Sequence, residues 1–125
     1  MREKDISRLL TDEYAERILV ATHDHPRSVQ EISDRHDIPI AACYRKIHEL
    51  EEAGFLRCAQ VVTTPKGKAM KLYQSTLRRA NLVFENGSFR VMFEFLGETP
   101  LNGQWIPLNP EAAAKVEAVA RAANP

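Results

Sequence analysis

Tyr44, Arg45, Lys46 and His48 sit together in one short stretch, and Lys66, Lys68 and Lys71 follow not far behind. A phenol, a guanidinium, an imidazole and several ammonium groups are hydrogen-bond donors, most of them carrying positive charge. Such a set suits a polyanion that also presents readable edges. A guanidinium can donate twice to one guanine, and ammonium groups neutralise phosphates.

Bond-making chemistry has much less support. There is no glycine loop to cradle a phosphate, no nucleophile elbow and no carboxylate pair in apolar surroundings. Glycine is scarce, at five residues. Glu49, Glu51 and Glu52 fall on a polar helix face as ordinary surface acids. His23 with His25, and Cys43 with His48, do not match compact zinc spacings. Cys43 falls at an inward position where valine would also fit, so it is expected to be a small hydrophobe. No catalytic residue, metal site or cofactor is expected.

These donors need a scaffold, and residues 28–56, SVQEISDRHDIPIAACYRKIHELEEAGFL, supply one. Ser28 and Glu31 form a capping box, in which the serine accepts from the Glu31 amide and the carboxylate reaches back. A helix of barely two turns follows, with Val29, Ile32 and His36 inward. Asp37 to Pro39 make the turn. A helix over 40–53 then sends Ile40, Cys43, Ile47, Leu50 and Ala53 inward, and Gly54 ends it in a left-handed conformation. That leaves Ala41, Ala42, Tyr44, Arg45 and His48 outward, with Lys46 at the margin. A helix–turn–helix places its second helix in the major groove of duplex DNA. Ala41 and Ala42 could meet thymine methyls, Arg45 a guanine, and Tyr44 and His48 either base edges or phosphate. Backbone amides around Ser28 and Gln30 can hold a phosphate at the start of the first helix.

Upstream, Thr11 or Asp12 can cap a helix running to about His23, which Asp24-His25-Pro26 stops. Downstream, Leu56–Val62 and Ala69–Thr76 read as strands around a turn set by Pro65 and Gly67. A second hairpin turns at Asn86-Gly87, the strongest two-residue signal for such a turn. It puts Phe84 opposite Phe89, Leu82 opposite Val91 and Ala80 opposite Phe93, with Phe95 extending the same face. A two-stranded unit of this kind must pack on something. Residues 97–108 read as a connection containing Trp105. Asn109 and Pro110 then open an alanine-rich helix with an apolar seam at Ala112, Val116, Val119 and Ala123.

Charge sharpens the reading. The 125 residues carry 17 basic and 17 acidic side chains, so the whole chain gives no argument for a polyanionic partner. Yet no acid occurs between Glu52 and Glu85, while Arg57, Lys66, Lys68, Lys71, Arg78 and Arg79 all do. The plainer reading is a hairpin edge guarded by lysines against aggregation. A complete lack of acids exceeds what edge protection needs. No apolar run approaches the roughly 20 residues that span a bilayer. The first residues lack the pattern of a signal peptide, so a cytoplasmic protein with no membrane partner is expected.

The segments YRKIHELEEAGFL and GKAMKLYQS, preceded by LLTDEYAERILVAT, carry a resemblance over about residues 5–76. In these the chain resembles the ArsR-like winged helix–turn–helix transcription regulators, in particular an archaeal branch. The resemblance implies a DNA-binding regulator, usually dimeric, with helix 40–53 in the groove. It departs from the metal-sensing members, because their paired cysteines near the recognition helix are absent.

The expectation is therefore an α+β fold. A winged helix–turn–helix DNA-binding domain covers 1–78, and a β-hairpin with a terminal helix covers 79–125 for dimerisation or effector binding. The DNA-contacting set is Ser28, Gln30, Ala41, Ala42, Tyr44, Arg45, Lys46, His48, Lys66, Lys68 and Lys71. The partners expected are double-stranded DNA, through helix 40–53 and a basic wing at 57–76, and a second copy of the chain. The sequence names no small-molecule effector. The alternative is a winged module that contacts a protein of the transcription machinery without sequence-specific DNA binding.

Overall fold

The computed structural model describes residues 8–9, 11–97 and 102–107. Leu9–Leu77 form one compact unit, and a second takes in the strands from Arg78 onward. The terminal helix expected from Pro110 lies outside the described residues.

Helix α1 (Glu13–Ala21) starts where Asp12 accepts hydrogen bonds from the Tyr14 and Ala15 amides at 2.9 and 3.1 Å. Glu13 and Glu16 in the first turn suit the positive end of the helix dipole. Ala15, Ile18 and Ala21 are buried, and the buried Thr22 hydroxyl donates back to the Ile18 carbonyl at 2.7 Å. Arg27 satisfies the far end, its Nε donating to the Ala21 carbonyl at 2.7 Å.

Helix α2 (Val29–His36) is capped by Ser28, whose Oγ accepts from the Glu31 amide. The expected reciprocal half of the capping box is replaced: the Glu31 carboxylate pairs with Arg27 at 2.6 Å. A cation one turn away offers more than a neutral amide, and charge-assisted bonds are the stronger kind. Asp37 ends α2 at φ 51, a left-handed conformation that aspartate tolerates better than most residues. Ile38, expected only as part of the turn, is buried. It plugs the turn while its amide and carbonyl both bond to Ser33.

Helix α3 (Ile40–Glu52) buries Cys43, Ile47 and Leu50. Ile40, expected inward, is 41% exposed at the helix start, since the helical period gives the direction a residue faces but not whether another element covers it. Gly54 at φ 87 closes α3 as expected, and the Phe55 amide returns to the Leu50 carbonyl at 2.9 Å.

Strands β1 (Leu56–Thr63) and β2 (Ala69–Ser75) then pair antiparallel, with a bulge between Cys58 and Gln60. Their base is widened by an unforeseen bridge. Arg27 and Tyr73 exchange both backbone hydrogen bonds, at 2.9 and 2.8 Å, which ties the α1–α2 connection to the wing. Helices α1, α2 and α3, this hairpin and the further strands make an α+β fold consistent with a winged helix.

In the second unit, β3 (Leu77–Glu85), β4 (Ser88–Phe95) and β5 (Trp105–Pro107) form one sheet in that order. Asn86 at φ 54 and Gly87 at φ 74 make the two-residue turn that the sequence predicts. The Phe84 and Phe89 ring centroids are 4.8 Å apart, as the register from that turn requires. The aromatic face is not uniform, however. Val91, Phe93 and Phe95 on β4 are buried, whereas Leu82, Phe84 and Phe89 stay exposed. The segment read as a plain connection also contributes β5, which pairs Val91 with Ile106 and Met92 with Trp105.

Candidate nucleic-acid interface

Helix α3 positions most of the candidate donors. With Cys43, Ile47 and Leu50 buried, the helical period leaves Ala41, Tyr44, Arg45 and His48 exposed along one stripe. Tyr44 is 60% exposed, a large exposure for an aromatic residue on a helix that also supplies the core. Ala42 is half-buried at the margin. His48 lies 3.5 Å from Glu52 one turn on, with both side chains exposed. Arg45 forms no ion pair among the described residues, so its guanidinium fork is open to an incoming acceptor. Ile40 joins this stripe at its leading end, an apolar group that the spacing alone had assigned to the core.

Lys46 is placed differently from its neighbours. Its side chain is only 17% exposed, and its ammonium bridges Asp12 at 2.9 Å and Glu49 at 3.3 Å. It was expected at the margin of the outward face, but it ties the N-cap of α1 to the middle of α3. Burial pulls the Asp12 carboxyl upward. The hydrogen bond from Lys46, the Ala15 and Tyr14 amides and the ammonium charge more than offset it, so the carboxyl lies below its ordinary value. Burial likewise pulls Lys46 downward, and its two carboxylate partners more than reverse that.

This link has a pH window. The Asp12 contribution is complete above about 3.9 and is lost as pH falls through the lower folded value. The Lys46 contribution is complete below about 10.4 and is lost as pH rises through the higher folded value. Lys46→Met is expected to cost about 1–2 kcal/mol near neutrality, between the values for exposed and buried pairs. In urea titrations over a range of pH, the gap between wild type and variant should stay flat from pH 5 to 9 by this linkage and narrow below about pH 4.

At the start of α2 the Ser28 side chain is buried and used by its own cap, so only first-turn backbone amides are available there. Gln30 is exposed, its side-chain amide donating to Asp34 at 3.1 Å. Cys43 is fully buried and its thiol donates to the Val29 carbonyl at 3.8 Å. Burial pushes that thiol upward, away from the reactive thiolate. This is a packing role.

The wing carries the other cations outward. Its tip is tightly built: Thr64 bonds Lys68 through both backbone and hydroxyl, and Gly67 takes φ 81. Lys66, Lys68 and Lys71 are exposed, as is Arg57 at the wing base. Among the described residues none of these four is in an ion pair. Thr76 fixes the wing to α3, its amide donating to the Phe55 carbonyl and its hydroxyl to the Gly54 carbonyl. The donors of helix and wing therefore belong to one compact unit, and its fixed points are Gly54, Phe55, Arg27 and Lys46. Sequence reading missed the last two because their partners lie far away along the chain.

Among the described residues, no helix is long and apolar enough to cross a membrane. No curated protein matches the chain. Residues 10–59, which include α1, α2, α3 and the first part of β1, match the family model of the helix-turn-helix domain and support a helix–turn–helix family of DNA-binding regulators.

Proposed function

We propose that the chain is a sequence-specific DNA-binding transcription regulator of the ArsR-like winged type, acting as a cytoplasmic homodimer. Helix α3 lies in the major groove and the wing follows the backbone or adjacent minor groove. The observation that carries this reading is the exposed stripe Ala41, Tyr44, Arg45 and His48, in one compact unit with a wing whose exposed lysine side chains form no ion pair among the described residues. A helix face kept for solvation alone has no need to expose a tyrosine beside an arginine that forms no ion pair among the described residues.

In this reading Arg45 donates to a guanine, while Ala41, with Ala42 at its margin, meets a thymine methyl. Tyr44 and His48 reach base edges or phosphate. First-turn amides at Ser28 and Gln30, with Lys66, Lys68 and Lys71, hold phosphates and set the register. Lys46 serves by fixing α3 rather than by contact. The residues from 79 onward supply dimer or effector functions. The full chain should enrich one motif when bound sites are selected from a random duplex pool. Failure to retain any duplex at low salt would instead favour a protein-binding winged module.

A further inference from the structure

Strand β3 is one edge of the second-unit sheet, and among the described residues its outer side has no strand partner. It is nine residues long, and Leu82 and Phe84 near its end are 58% and 63% exposed. Long exposed edges with apolar side chains are templates for another strand, and natural proteins cover or blunt them. The turn at Asn86–Gly87 decides which backbone groups are available. It makes Glu85 and Ser88 a hydrogen-bonded pair, so Val83, Asn81 and Arg79 also turn their N–H and C=O groups toward β4. Those of Phe84, Leu82 and Ala80 point to the open edge.

We infer that this edge is filled by β3 of a second copy of the chain, antiparallel about a two-fold axis at Leu82. This deepens the homodimer part of the proposed function and rests on it, but its test needs no DNA. Charge selects both the occupant and the register. Arg79 lies 3.9 Å from Glu94, and Glu85 lies 3.0 Å from Arg90, each pair running between β3 and β4. With Leu82 on the axis, Arg79 falls opposite the partner's Glu85. The row then reads Glu94, Arg79, the partner's Glu85, the partner's Arg90, alternating in sign across four strands.

The other face agrees. Leu82 meets its own copy, and Ala80 meets the partner's Phe84, so the exposed apolar groups gain neighbours in the same register. Shifting the axis by one residue removes Arg79 from Glu85 and leaves a neutral residue opposite each of them. An interface of this kind is isologous, and it closes at two copies.

The test is sedimentation equilibrium on the full chain, with Arg79→Glu and Glu85→Arg made separately and then mixed. Each variant alone faces like charges across the axis, so its self-association should weaken at least tenfold. The equimolar mixture restores both opposite-charge pairs and should sediment as a heterodimer close to wild-type affinity. Leu82→Pro should abolish association, since it removes an outward amide without breaking a bond to β4. Circular dichroism checks that each variant is folded. A wild-type chain that is monomeric at micromolar concentration would overturn the inference. So would a dimer indifferent to both charge changes, or a mixture that fails to recover association.

Discussion

Replacing Lys66, Lys68 and Lys71 together with alanine should weaken binding to every duplex alike, by about 10²–10³-fold at 0.1 M salt if all three touch phosphate. The three ammonium groups are exposed and carry no ion pair among the described residues, so the unbound protein should lose little stability. Each phosphate contact contributes roughly 0.9 to the slope of log affinity against log salt, so that slope should fall by about 2.7. The ranking of sequences should not change, since backbone contacts position the protein and base contacts specify. Titrations of wild type and triple variant at several salt concentrations measure slope and ranking together. An unchanged slope would place these lysines off the DNA.

The second large effect concerns the scaffold. Phe55→Ala should destabilise the first unit by about 3–5 kcal/mol, the range for truncating a buried aromatic side chain. Phe55 is 2% exposed, directly after the left-handed Gly54 that ends α3. Its amide closes the helix through the Leu50 carbonyl, and its own carbonyl accepts from Thr76 at the far end of the wing. Losing the ring therefore loosens the end of α3 and the base of the wing together. Urea unfolding followed by circular dichroism should show a much lower midpoint, and DNA affinity should fall because helix and wing no longer hold one geometry. A midpoint within experimental error of wild type would show that the site can repack.

What the sequence made legible was local. Ser28 caps the Glu31 amide, Gly54 takes positive φ, and Asn86-Gly87 turns a hairpin, because each depends on only a few neighbouring residues. The amphipathic period of α3 placed Cys43, Ile47 and Leu50 correctly for the same reason. It failed at Ile40, because periodicity says which direction a residue faces and not whether anything waits there. The Asp12–Lys46 link and the Arg27–Tyr73 bridge were out of reach, since each joins segments that only the tertiary fold brings together. Strand β5 was missed because three residues are too short to show alternation. For the candidate interface, sequence named the groups, and the fold decided which stay exposed and which are taken inward.

The most direct measurement of the central claim, that α3 reads base edges, is a double-mutant cycle between Arg45→Ala and its guanine. Affinities of wild type and variant are measured on the selected site and on the same site with each base pair changed in turn. If α3 reads base edges, the variant loses about 1–3 kcal/mol on the selected site and the loss disappears at one changed G·C pair. A uniform loss on every duplex, or no loss at all, would contradict it.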